Sequence, residues 1–115
     1  MYKRRNKYGN RRITVDGETF DSLKEYHRYC ELQLLQRSGK IMDLRRQVPF
    51  EILPSYKHPT TGKTVRGVKY VADFVYLDLQ TMKRVIEDVK GTRTQVYKLK
   101  KKLVEYIYQE EIVEV

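Results

Sequence analysis

Val85 to Gly91 read VIEDVKG, and the rest of the chain is read outward from this stretch. Val85, Ile86 and Val89 supply the β-branched content of a strand, and Gly91 ends it. Alternation puts Ile86, Asp88 and Lys90 on one face and Glu87 and Val89 on the other. Asp88 and Lys90 then project side by side, roughly 6.5–7 Å apart along the strand. An apolar strand that sets a carboxylate beside an ammonium has either an ion pair to bury or a reaction to run.

Immediately upstream, Val65 to Asp78 (VRGVKYVADFVYLD) is predicted as the longest strand. Val71, Asp73, Val75 and Leu77 fall on one face, and Tyr70, Ala72, Phe74 and Tyr76 on the other. Both faces are largely apolar, which predicts a central strand buried on both sides. Asp73 is an acid inside that register, and a buried carboxylate needs a counter-charge. Gln80-Thr81 forms a tight connection to the 85–91 strand, making an antiparallel hairpin.

Ile41 to Leu53 gives another main strand, with Val48, Phe50 and Ile52 alternating and Pro54 ending it. Residues 54–64, with two prolines and Gly62, read as a connecting loop, and His58 as a loop histidine without a ligand cluster. Ile13 to Phe20 forms two short strands about Asp16-Gly17, a dipeptide suited to a type I′ turn. A helix runs from Ser22 to Arg37, with Ser22 and Glu25 at capping-box spacing. Leu23, Tyr26, Cys30 and Leu34 make one stripe on it and Glu25, Tyr29 and Leu32 a second, predicting a helix covered on two sides. A second helix spans Gln95 to Tyr108, with Val96, Leu99, Leu103, Val104 and Ile107 as its apolar stripe. Ile112 to Val115 closes the chain as an edge strand. The order is hairpin, α, β, β, β, α, β, a compact α/β layer structure around one mixed sheet.

At 115 residues the chain holds one domain and one core. Residues 1–12 form a basic N-terminal arm, and residues 13–115 the domain. A net charge of +9 predicts an anionic partner. Lys3, Arg4, Arg5, Lys7, Arg11 and Arg12 crowd the arm without an acid, whereas Glu105, Glu110, Glu111 and Glu114 collect after residue 102 without a base. Such segregation favours nucleic acid. The single Cys30 excludes an internal disulfide and a thiolate zinc cluster, and its place in an apolar stripe predicts a small buried thiol in a reducing compartment. No apolar run approaches 18 residues and no signal-like start is present, which predicts a cytoplasmic protein without a membrane partner.

Glu25, Asp73 and Asp88 are acids in apolar surroundings. Converging carboxylates repel unless a divalent cation lies between them, and hard oxygen ligands suit Mg²⁺ or Mn²⁺. Plainer readings stand beside this one. Glu25 serves as a capping-box residue, Asp88 and Lys90 form a surface ion pair, and Asp73 pairs with an arginine such as Arg93.

The stretches FDSLKEYHRYCEL, YVADFVYLD, VIEDVKG and VYKLKKKL, taken in order, resemble the PD-(D/E)XK nuclease superfamily, and more narrowly a family of small phage and prophage proteins within it. The resemblance covers nearly the whole chain. It implies a restriction-endonuclease-like αβββαβ core and a Mg²⁺-dependent phosphodiesterase site acting on DNA. Glu25 matches the acid of the first helix, Asp73 the aspartate of the PD motif, and Asp88 and Lys90 the (D/E)XK pair. Ala72 stands where the motif has proline.

On this basis the expected activity is a metal-dependent DNA endonuclease, with branched recombination or replication intermediates as the substrates suggested by analogy. Glu25, Asp73, Asp88 and the Val89 carbonyl are the expected metal ligands, with Lys90 positioning the nucleophile. Gln47 supports the site from behind. Lys3, Arg4, Arg5, Lys7, Arg11, Arg12, Arg93, Lys98, Lys101 and Lys102 are the expected nucleic-acid contacts. A homodimer is expected, because one small domain offers little surface to grip a duplex. The competing readings are a non-catalytic nucleic-acid-binding protein and an RNA-directed nuclease.

Overall fold

In the computed structural model, residues 11–91 and 93–115 are described. The apolar periodicity of the sequence yields an α/β fold built on a mixed four-stranded sheet and two helices. A hairpin comes first, β1 (Ile13–Val15) and β2 (Glu18–Phe20), turning through Asp16 and Gly17 at φ 51° and 80°. Two consecutive left-handed residues are what a type I′ turn requires. Helix α1 (Leu23–Arg37) follows, then β3 (Ile41–Leu53), a short hairpin of β4 (Tyr56–Lys57) and β5 (Thr64–Val65), β6 (Val68–Asp78) and β7 (Lys83–Asp88). Helix α2 (Gln95–Tyr108) leads to β8 (Ile112–Glu114). The sheet order is β3-β6-β7-β8; β6 runs antiparallel to both neighbours, and β7 and β8 are parallel, with α2 as their crossover.

The segment read as a loop, residues 54–64, contains all of β4 and the first residue of β5. The strand expected to start at Val65 starts at Val68, so β3 is the longest strand. His58 does work in this hairpin, where its Nδ1 accepts from the Thr60 and Thr61 amides at 3.1 and 3.3 Å. Proline and glycine punctuation conceals strands this short. Gly67 sits where the chain turns from β5 into β6. A Cβ there would lie 2.3 Å from the Leu53 carbonyl oxygen and 2.9 Å from the Ser55 amide nitrogen.

Two clusters fill the two faces of the sheet. Phe50, Tyr70, Ala72, Val75, Ile86 and Ile112 pack with Val104 of α2 on one face. Ile41, Phe74 and Tyr76 pack with Leu32 of α1 on the other. Strict alternation placed Tyr70, Ala72, Phe74 and Tyr76 together, yet Tyr70 and Ala72 face α2 while Phe74 and Tyr76 face α1. The neighbouring strand makes the same switch. Arg46 lies over the Phe20 and Tyr29 rings on the α1 side, and Val48 packs on the α2 side. Gln47 and Asp73 lie opposite each other at the switch, between the pairs Arg46↔Phe74 and Val48↔Ala72, and Gln47 takes φ 52°. A left-handed residue breaks the pleat, and both strands change faces together.

Each helix buries less than its periodicity suggests. In α1, Glu25 and Leu32 are buried and Tyr29 stacks on Phe74 at 6.1 Å, while Leu23, Cys30 and Leu34 are exposed. The helix is therefore covered on one side, and Cys30 is not the buried thiol expected. In α2, Tyr97, Val104 and Tyr108 face the sheet, whereas Val96, Leu99 and Ile107 of the expected stripe are exposed. Tyrosines, which an apolar count underweights, occupy the inward face.

Gly67→Ala has no room for its methyl group except by displacing backbone. The variant is expected to lose about 1–3 kcal/mol of stability, read as a lower urea midpoint with an unchanged slope.

Candidate active site

Asp73 leaves β6 at the face switch, and the register of β6 with β7 (Phe74↔Glu87, Val75↔Ile86) brings Asp88 opposite it. Both strands are buried here, so the two carboxylates meet with little water between them. Asp73 Oδ2 accepts from the Val89 amide at 2.8 Å and Oδ1 from Gln47 Nε2 at 3.3 Å. Asp88 Oδ2 accepts from the Tyr70 hydroxyl at 2.8 Å and lies 2.8 Å from Lys90 Nζ. The Lys90 ammonium also sits 3.3 Å from the centroid of the Tyr97 ring, which fixes it from below.

Burial pushes the Asp88 carboxyl up to about 7, and nearby Asp73 adds to the shift against the opposing pull of Lys90 and Tyr70. Burial likewise raises Asp73 to about 6, with Glu25 adding to it and the Val89 N–H opposing it. Two carboxyls this close titrate as a pair holding one proton near neutrality. Glu25 reaches the same place from the first turn of α1. It is buried, accepts from the Asp21 amide at 3.1 Å, and has Arg46 Nη2 at 3.8 Å. The Ser22 hydroxyl caps the helix by accepting from the Glu25 amide at 3.1 Å, so half of the capping box forms while the Glu25 carboxylate turns to the cleft.

Glu25, Asp73, Asp88, Val89 and Lys90 line one cleft of about 1100 Å³. Arg12, Lys24, Arg66, Lys69 and Lys100 also line it. Gln47 lines it as well, beside Asp73 as expected. Arg93 does not reach Asp73; it pairs with Glu114 at 2.8 Å. Lys101 leans toward Glu114 at 3.6 Å, and Lys98 and Lys102 are exposed away from the cleft. Arg12 pairs with Asp21 at 3.5 Å at the rim, and Arg11 is exposed. Lys3, Arg4, Arg5 and Lys7 lie outside the described residues.

The sequence reading missed Tyr70, Tyr97, Lys24, Arg66, Lys69 and Lys100. Lys24 Nζ donates to the Lys90 carbonyl at 2.9 Å, tying α1 to the end of β7. Lys100 was detectable, because it lies one helical turn from the inward-facing Tyr97 and Val104. Tyr70 was not, because its approach to Asp88 depends on the face switch.

The donor chemistry fits a hard divalent cation. Asp73 and Asp88 are oxygen ligands whose crowding a cation would relieve, and Glu25 is a third acid beside Asp73. Among the described residues, however, no three acid, imidazole or thiolate side chains stand at the mutual spacing of an assembled metal centre. No helix among them is long and apolar enough to cross a membrane.

Both carboxyls ionise at higher pH in the fold than in the unfolded chain. The stability they contribute is therefore complete below about pH 4 and is lost as pH rises through 6 to 7. In chelator-treated protein the melting temperature is expected to fall by roughly 5–10 °C between pH 5 and pH 8. Asp88→Asn should flatten that slope, as followed by circular dichroism.

No curated protein and no solved structure matches the chain. The family model described as "Protein of unknown function (DUF1064)" matches residues 5–114, a span that takes in every strand and helix of the fold, and the chain belongs to that family.

Proposed function

We propose that the protein is a metal-dependent DNA endonuclease with a restriction-endonuclease-like core. The observation that carries the reading is the Asp73–Asp88 pair at the floor of a cleft rimmed by cations, with Lys90 held 2.8 Å from Asp88. Asp73 and Asp88 would hold Mg²⁺ or Mn²⁺, with Glu25 as the third acid and the Val89 carbonyl as a further oxygen. The ion, when bound, supplies Lewis acidity to the scissile phosphate. With such an ion held there, Asp88 would no longer depend on Lys90 alone for its counter-charge, and the Lys90 amine would be free to act. Lys90 then orients the attacking water and offsets the charge that grows on the phosphoryl oxygens. Tyr97 keeps its amine from swinging out of the cleft. Arg66, Lys69 and Lys100 grip the flanking phosphates. The reading includes two copies of the chain per substrate, since one domain offers little surface to a duplex.

A second reading, a non-catalytic nucleic-acid-binding module, is favoured by the ion pair already present between Lys90 and Asp88 and by the lack of an assembled three-ligand cluster among the described residues. It uses the same cationic rim.

Cleavage assays separate the two. With Mg²⁺ or Mn²⁺ the chain is expected to cut DNA, and Asp88→Asn to cut at least about 10³-fold more slowly while binding in Ca²⁺ as well as before or better. Failure on linear, nicked, flapped and four-way DNA alike leaves the binding module standing. Parallel assays on RNA distinguish the two polymers. A further expectation concerns the rim: Lys100→Ala should reduce the slope of log affinity against log salt by about 0.9, whereas Lys101→Ala, which removes a partner of Glu114, should change it little.

A further inference from the structure

We propose that the β4–β5 hairpin is a ribbon that enters the major groove of a DNA duplex whose backbone lies in the cleft. The proposal deepens the nucleic-acid part of the reading above, and its test reads binding rather than cleavage. Residues 53–64 are all exposed, and none of them belongs to either apolar cluster. The hairpin is held by its own bonds instead. The His58 amide donates to the Lys63 carbonyl at 2.8 Å, and the Gly62 amide to the His58 carbonyl at 2.9 Å. At its foot Gly67 lets the chain pass against the Leu53 carbonyl, a crossing that a side chain would block. Fixing such a projection costs backbone entropy that no apolar burial within the chain offsets, which points to a partner outside it.

Charge and the ribbon's two faces identify that partner. Between Glu51 and Asp73 the chain has no acid, and it carries Lys57, Lys63, Arg66 and Lys69. Among the described residues none of these four pairs with a carboxylate. The register Tyr56↔Val65, Lys57↔Thr64 sets Lys57 on one face with Thr64, to whose Oγ1 its ammonium donates at 2.6 Å. Alternation puts Arg66 on that face too, and Lys63 with Tyr56 on the other. Cations on both faces suit a slot between two rows of phosphates rather than one strand lying flat. The major groove of B-DNA, about 12 Å wide, admits a two-stranded ribbon. From foot to tip the hairpin offers about 20 Å of extended backbone. Arg66, Gly67, Val68 and Lys69 join it to the wall of the cleft, so one duplex can occupy both.

Affinity is measured in Ca²⁺ by fluorescence anisotropy, on a short blunt duplex and on one of its strands alone. The double variant Lys57→Ala, Lys63→Ala is expected to lower the slope of log affinity against log salt by about 1.8 on the duplex and to leave it unchanged on the single strand. No fall on the duplex, or an equal fall on both, overturns the proposal, as does a wild-type chain that binds no duplex. With Cys30 replaced by Ser, Thr60→Cys carrying a benzophenone is expected to join to the duplex under ultraviolet light, whereas Lys102→Cys, exposed away from the cleft, is not. Failure of Thr60→Cys to join also overturns the proposal, and if the double variant unfolds this crosslink alone decides. A chain that binds in this way but never cuts leaves the ribbon in place and sinks the nuclease reading. A chain that cuts DNA but binds it without regard to the hairpin charges loses the ribbon alone.

Discussion

Two carboxylates meet across the boundary of β6 and β7 with little water to solvate them, and much of the surrounding structure answers that cost. An ionised acid in such a place is tolerable only with donors or counter-charge close by. Tyr70 and Lys90 serve Asp88, while the Val89 amide and Gln47 serve Asp73. These donors suffice to hold the pair in place but not to keep both groups ionised, as their raised proton affinities record. The face switch at Gln47 and Asp73 belongs to the same arrangement. It brings Tyr70 onto the Asp88 side while Phe74, four residues on, packs under α1.

The adjacent acid of the same strand meets an opposite fate. Glu87, one residue before Asp88, faces α1 and is fully buried. Arg28 grips it with Nε and Nη2 at 2.8 and 2.6 Å, and the Tyr76 hydroxyl donates to it as well. A planar guanidinium matches both carboxylate oxygens at once, which a single ammonium cannot do. Glu87 is thereby neutralised as a structural strut between helix and sheet. Asp88, served by a point charge and a phenol, keeps capacity for another ligand. Within a dipeptide, the number of donors separates a residue that fastens the fold from one available for chemistry.

Much of this was legible in the sequence. The boundaries of α2 and β3, the turn at Asp16-Gly17 and the antiparallel β6–β7 pair follow from periodicity and turn chemistry. The gathering of Glu25, Asp73, Asp88 and Lys90 around one cleft was legible too, because each is a charged residue in an apolar pattern. The departures share a cause. Periodicity assumes an unbroken pleat and a helix whose apolar side is its packed side. A single left-handed residue at Gln47 defeats the first assumption. Inward tyrosines on α2 defeat the second, since their rings pack under the sheet while Leu99 and Ile107 stay in water. The cations that line the cleft differ from the expected contacts for a similar reason. Lys98, Lys101 and Lys102 are conspicuous as a run, but the cleft draws Arg66 and Lys69 from around the start of β6 and Lys100 from α2.

The parallel pairing of β7 with β8 has a consequence for biosynthesis. The Val115 amide donates to the Asp88 carbonyl and the Lys90 amide donates to the Val115 carbonyl, at 3.0 and 3.1 Å, so the backbone on either side of Val89 is clamped by a strand translated a whole helix later. A chain still emerging from the ribosome can form β3, β6 and β7 before it can brace the segment bearing Asp88 and Lys90. The last backbone bonds to close are those nearest Asp88 and Lys90, so the segment that carries them is braced only once the sheet is complete.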